Sequence, residues 1–107
     1  MRFERTASFK TDYRRLSPRE QELFKQAVRL FSDGCDKFVD TGDLAAWPSS
    51  LRVKAVVGAR DIFEMTWNFA GPDGRATWEW CTVVVEGRNY RAVRWRRIGS
   101  HAIFADP

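Results

Sequence analysis

Histidine occurs once in this chain, at position 101, and cysteine only twice, at positions 35 and 81. A single imidazole cannot build a multi-histidine metal centre. Two distant cysteines without neighbours of ligand spacing exclude a thiolate zinc site and a disulfide-rich framework. A glycine-rich phosphate loop, an HExxH or CxxC element and a GxSxG elbow are also missing, which removes the chemistries that depend on them. No stretch approaches the roughly 18 apolar residues of a membrane span, and Met1-Arg2-Phe3-Glu4-Arg5 carries no apolar signal core. The expectation is a cytoplasmic chain with two reduced thiols, no membrane segment, no metal and no small-molecule cofactor.

What is present is material for one core and an uneven charge. At 107 residues, 44% hydrophobic and 14% aromatic, the chain predicts a single domain over residues 1–107. The formal net charge is +4. Residues 1–50 hold nine Lys and Arg against eight Asp and Glu, whereas residues 88–97 hold five arginines and no acid. Clustering of this kind predicts a polyanionic partner more strongly than net charge does. It makes Arg94, Arg96 and Arg97 the candidate residues for gripping such a polyanion.

The periodicities predict an α+β domain in which an N-terminal strand and a helical hairpin pack on a twisted antiparallel sheet. Residues 3–9 alternate roughly and read as a strand, and residues 10–16 as a short helix. Ser17-Pro18-Arg19-Glu20 is a capping box with proline at the first helical position. Behind it Leu23, Phe24, Ala27, Val28, Phe31, Cys35 and Phe38 recur at helical spacing, which carries the helix to the Thr41-Gly42 pair. From Leu51 onward the pattern is strand. Leu51, Val53, Ala55 and Val57 alternate with Arg52 and Lys54, and Phe63, Met65, Trp67 and Phe69 alternate with polar residues. Turns are expected at Gly71-Pro72-Asp73-Gly74 and around Gly87, with strands over residues 75–85 and 90–98.

Alternation then assigns faces. The tryptophans at strand positions belong to the core, and Arg52, Lys54, Thr66, Arg75 and Glu79 share an open, basic and concave face. In the last strand Arg94 and Arg96 point one way, and Arg97 points the other way with Val93 and Trp95. His101 follows Gly99-Ser100, which permits a bend, and Phe104 follows it. Arginine forks grip phosphate and histidine moves protons near neutral pH, so this terminal segment is the candidate catalytic element. Glu64 and Glu79, on a basic sheet, are expected to pair with arginine.

The order strand, helical hairpin, antiparallel strands, ending in Trp95-Arg96-Arg97-Ile98-Gly99-Ser100-His101-Ala102-Ile103-Phe104, resembles the RelE/ParE superfamily of bacterial toxins. Leu51-Arg52-Val53-Lys54 leading to Ile62-Phe63-Glu64, Gly74-Arg75-Ala76-Thr77-Trp78 and the Gly99-Ser100-His101 tail with Phe104 carry the resemblance across nearly the whole chain. It implies a RelE-like fold and a ribosome-dependent mRNA endonuclease, the toxic half of a toxin–antitoxin pair. The implied chemistry is metal-independent attack of the substrate 2′-hydroxyl on the adjacent phosphate. His101 would be the acid or base, Arg75 would stabilise the phosphorane, Phe104 would orient a base or the tail, and Lys54 with Arg52 would hold RNA. The implied partners are a cognate antitoxin and mRNA on the ribosome. A ParE-like gyrase inhibitor or a non-catalytic nucleic-acid-binding regulator would use the same fold. The loop Trp47-Pro48-Ser49-Ser50 lacks an ionisable group, so the second acid/base residue is unassigned.

Overall fold

Ser17 starts the longest element. Its hydroxyl accepts from the Glu20 amide at 3.1 Å and the Glu20 carboxylate accepts from the Ser17 amide at 2.9 Å, closing the predicted box. The helix that follows, α2, runs Pro18–Thr41 and stops at Gly42, whose φ of 68° makes it a left-handed cap. Around it the computed structural model, which describes residues 1–68 and 74–107, places β1 (Arg2–Arg5), α1 (Ala7–Arg14), β2 (Lys54–Ala55), β3 (Phe63–Asn68), β4 (Gly74–Val85) and β5 (Arg88–Gly99). Short 3₁₀ turns occupy Leu44–Ala46, Ser49–Leu51 and His101–Ala105. Among the described residues no helix is long and apolar enough to cross a membrane.

The five strands form one sheet in the order β1-β5-β4-β3-β2. Hairpin-length connections make β2, β3, β4 and β5 antiparallel neighbours, as expected, but β1 lies parallel to β5, so the sheet is mixed. The parallel pairing stacks Phe3 on Trp95, with ring centroids 5.8 Å apart. β1 is also shorter than the alternation predicted. Thr6 accepts from the Phe9 amide at 3.0 Å and caps α1, so Ala7 and Phe9 are helical and Phe9 is buried.

The strand expected across residues 51–57 shrinks to two residues. Leu51 is buried at the end of a 3₁₀ turn that follows Pro48, and Arg52 takes a left-handed φ of 48°. The side-chain parity was right for Leu51 and the conformation was not, because burial of one anchor does not require an extended backbone. The turn joining β4 to β5 consists of Glu86 and Gly87, both with positive φ, as a two-residue turn of type I′ requires. The Gly71-Pro72-Asp73 part of the other turn, and Phe69, lie outside the described residues. Gly74 opens β4, where a Cβ would sit 2.4 Å from the Trp67 ring, so no larger residue fits.

Both helices cover one face of the sheet. Phe24 and Phe31 of α2 meet Trp95 edge-on or tilted at 5.1 and 5.0 Å, and Phe31 meets Trp78 at 5.0 Å. Trp67, Trp78 and Trp95 are buried, in line with the core assignment. Trp47 joins them, its indole N–H donating to the Phe31 carbonyl at 3.2 Å.

Candidate functional site

The opposite face begins with a bulge. Thr77 pairs with Arg97 and Trp78 with Trp95, which leaves Arg96 as the extra residue in β5. The bulge shifts the alternation by one, so Val93, Trp95 and Ile98 all enter the core. It also breaks the expected grouping of Arg97 with Trp95. Arg97 stands opposite Thr77, on the side of Arg75 and Glu79, and its guanidinium reaches past β5 to α1.

That reach ends on a carboxylate the sequence reading missed. Asp12, buried on α1, accepts from Arg97 Nε at 2.6 Å and Nη2 at 3.2 Å, and from the Ile98 amide at 3.2 Å. The main-chain oxygen of Asp106 takes a third Arg97 donor at 3.0 Å. The signal was present in the sequence. Asp12 is three residues from Phe9 on the core-facing side of a short helix, where an acid demands a cationic partner. Its hydrogen bonds hold the Arg97 guanidinium above its ordinary pKa.

Arg94 and Arg96 are engaged in the same way. Arg94 donates to Glu79 at 3.0 Å and to Glu4 at 3.1 and 3.3 Å, and Arg96 donates to the other Glu79 oxygen at 3.0 Å and to the Pro107 main-chain oxygen at 3.1 Å. Glu79 and then Glu4 raise the Arg94 pKa. Where a basic face was expected, Arg94, Arg96 and Arg97 alternate with acids from β1, β4 and α1, so three of the five arginines of β5 are met by carboxylates, while Arg91 lies over the Trp80 ring. The pairing of Glu79, and of Glu64 below, follows the expectation.

The remaining candidates lie towards the other end of β4. Arg75 stands opposite Gly99, two residues before His101, so the register brings Arg75 and the C-terminal tail to one corner of the sheet. The Arg75 side chain is largely buried, with Nε 3.9 Å from Glu64, and the same Glu64 oxygen lies 3.8 Å from the exposed Lys54 ammonium. Arg52 is exposed two residues before Lys54, outside the strand.

His101 is exposed at the start of the final 3₁₀ turn. Ser100 caps that turn and buried Ile103 anchors it; a Cβ on Gly99 would come within 3.1 Å of Ile103. The Phe104 ring meets the imidazole edge-on at 4.9 Å, which fixes the ring while leaving it open to solvent. The two side chains face different neighbours at this corner: Arg75 is held by Glu64 and His101 by Phe104. Chemically, the corner offers an accessible imidazole and a largely buried guanidinium held by Glu64, the carboxylate that also meets the Lys54 ammonium.

The thiols are placed for packing. Cys35 is buried in α2, and burial pushes its thiol up to about 12; desolvation also raises Cys81, which lies on the charged face beside Glu4. Among the described residues no group of three or more His, Cys, Asp or Glu is arranged to hold a metal ion. Comparison of the chain with protein-family models, with curated proteins and with solved structures found no match, so its site is read from its own geometry.

Proposed function

We propose that this chain is an RNA-cleaving toxin of the RelE/ParE kind, a metal-independent, ribosome-dependent mRNA endonuclease neutralised by an antitoxin. The observation that supports the reading is the register of β4 on β5: Arg75 opposite Gly99 brings the accessible imidazole of His101 and a guanidinium to the same end of one strand pair. The observed element order also agrees with the order that carries the resemblance.

In this mechanism His101 takes the proton from a ribose 2′-hydroxyl as its oxygen attacks the adjacent phosphorus. The P–O5′ bond breaks, the departing 5′-oxygen takes a proton from solvent water, and the products are a 2′,3′-cyclic phosphate and a 5′-hydroxyl; the proton held by His101 returns to solvent. Arg75 answers the charge that grows on the phosphorane. Lys54 and Arg52 hold the flanking phosphates, and Phe104 keeps the imidazole oriented. Arg94, Arg96 and Arg97, with donors directed into Glu4, Glu79 and Asp12, act in this reading as the scaffold of the corner. The partner that silences the toxin in this reading is an antitoxin whose acidic or amphipathic segment wraps the toxin and covers its basic residues.

A second reading, a nucleic-acid-binding regulator that does not cleave, is favoured by one observation, the engagement of Arg75 by Glu64. Induced expression of wild type and His101→Ala with mapping of transcript ends separates the two. The toxin reading expects new 5′-hydroxyl ends within translated messages for wild type, and a loss of about 100- to 10,000-fold for His101→Ala, the usual contribution of a positioned acid or base. Equal end patterns for the two proteins overturn it.

A further inference from the structure

β4 is longer than the strand that covers it. β3 pairs with β4 from Gly74 to Trp78, Phe63 being the partner of Trp78, and upstream of Phe63 the chain turns through Asp61 with a φ of 59°. On its other side β4 stays paired with β5 as far as Val85. Residues 79–85 therefore have β5 along one edge and, among the described residues, no strand along the other. An edge of this kind presents unpaired N–H and C=O groups, and natural sheets blunt it with lysine, proline or a bulge. This stretch, Glu79-Trp80-Cys81-Thr82-Val83-Val84-Val85, has neither lysine nor proline, and Val84 is 68% exposed.

We propose that this edge pairs antiparallel with the same edge of a second copy of the chain, about a twofold axis at Thr82. The free segment is bounded by β3 at Trp78 and by the turn at Glu86, and Thr82 is its midpoint. Pairing two identical segments about that point matches residue 79 with 85, 80 with 84 and 81 with 83. A twofold contact needs such self-complementarity.

The side chains fit the same register. On the helix-facing side Val84 of the second copy comes to lie beside Trp80, at the mouth of a cavity of about 450 Å³ lined by Phe38, Trp47, Phe63, Trp78 and Trp80. On the other side Val83 lies against Cys81, and at the axis two threonines meet, a favourable cross-strand pair. Glu86 of the second copy is carried towards Lys54, which lines that cavity, is itself exposed and already has Glu64 at 3.8 Å, so that it would be shared between two acids. A β-branched donor strand of matching length and an acid facing a lysine identify the occupant as this chain itself.

The test requires no RNA, so it is independent of the function proposed above. The full chain is followed by sedimentation equilibrium from micromolar to several hundred micromolar. Wild type is expected to rise from 12.4 kDa towards twice that mass. Thr82→Lys opposes two ammonium groups at the axis and is expected to stay at the monomer mass with an unchanged circular dichroism spectrum. Val57→Lys, at a site that is 98% exposed on the β2–β3 connection, is expected to dimerise like wild type. In a Cys81→Ser background, Thr82→Cys is expected to form an intermolecular disulfide in air, with dioxygen taking up the two electrons and two protons. Wild type that remains monomeric throughout, Thr82→Lys that associates as wild type does, or a dimer that Thr82→Cys fails to cross-link overturns the proposal.

Discussion

On the helix-facing side of the sheet, Trp67, Trp78 and Trp95 lie buried against Phe24 and Phe31, in contacts that are non-directional and insensitive to salt. On the opposite side the same strands present Glu4, Arg94, Glu79 and Arg96 as a chain of alternating charges at 3.0 to 3.1 Å, with Glu64 gathering Lys54 and Arg75 further along. One backbone carries both because successive strand residues point to opposite faces. The comparison shows that the two faces hold the sheet by different physics. Burial of aromatic area dominates stability, and the charged side sets register and orientation for a smaller energy. It also shows that a run of arginines in one strand is no measure of surface charge until its cross-strand partners are known.

Four measurements sharpen or break this contrast. Trp78→Ala removes the ring at the centre of the aromatic layer and is expected to cost about 3–5 kcal/mol in urea unfolding, with little dependence on salt. Asp12→Asn, at the boundary of the two regimes, strips the charge from the carboxylate that accepts two Arg97 donors and the Ile98 amide. The same measurement should show a loss of about 2–3 kcal/mol, the range for charge-assisted hydrogen bonds that leave a partner unsatisfied.

The third measurement concerns pH. Cys35 keeps its proton in the fold up to about 12, and the unfolded chain gives it up near 9, so the raised thiol stabilises the fold fully below pH 9. Above that, stability falls by about 1.4 kcal/mol per pH unit until the native thiol ionises. The difference in urea midpoint between wild type and Cys35→Ala, followed from pH 8 to 11, isolates this slope; equal slopes in the two proteins refute it.

The smallest effect belongs to the charged face. Glu79→Gln loosens two half-exposed arginines and is expected to cost about 1 kcal/mol, shrinking as salt is added. A salt-independent loss as large as that of Trp78→Ala would break the contrast between the faces.

Legibility followed sequence distance. The capping box at Ser17, the apolar stripe of α2, its stop at Gly42 and the strand assignment of Trp67, Trp78, Trp80 and Trp95 were all readable, because caps and periodicity act over a few residues. The two-residue scale of β2 was hidden, since alternation from Leu51 to Val57 imitates a longer strand. So was the helical state of Phe9, which Thr6 decides. Of the candidate site, His101 could be named from its chemistry and Arg75 from the family resemblance, and the placing of Arg75 opposite Gly99, at the root of the His101 tail, depends on a register that no local pattern announces.

The amino-acid sequence by itself determined the α+β composition, the boundaries of α2 and which face of the strands is aromatic, because those features follow from side-chain preferences and periods of 2 and 3.6 residues. Tertiary structure alone decided that β1 lies parallel to β5, that Arg96 forms a bulge, and that Arg94 and Arg97 are claimed by Glu4 and Asp12, each 85 or more residues away. Those outcomes depend on how distant segments align when apolar area is buried and each buried charge must find its partner.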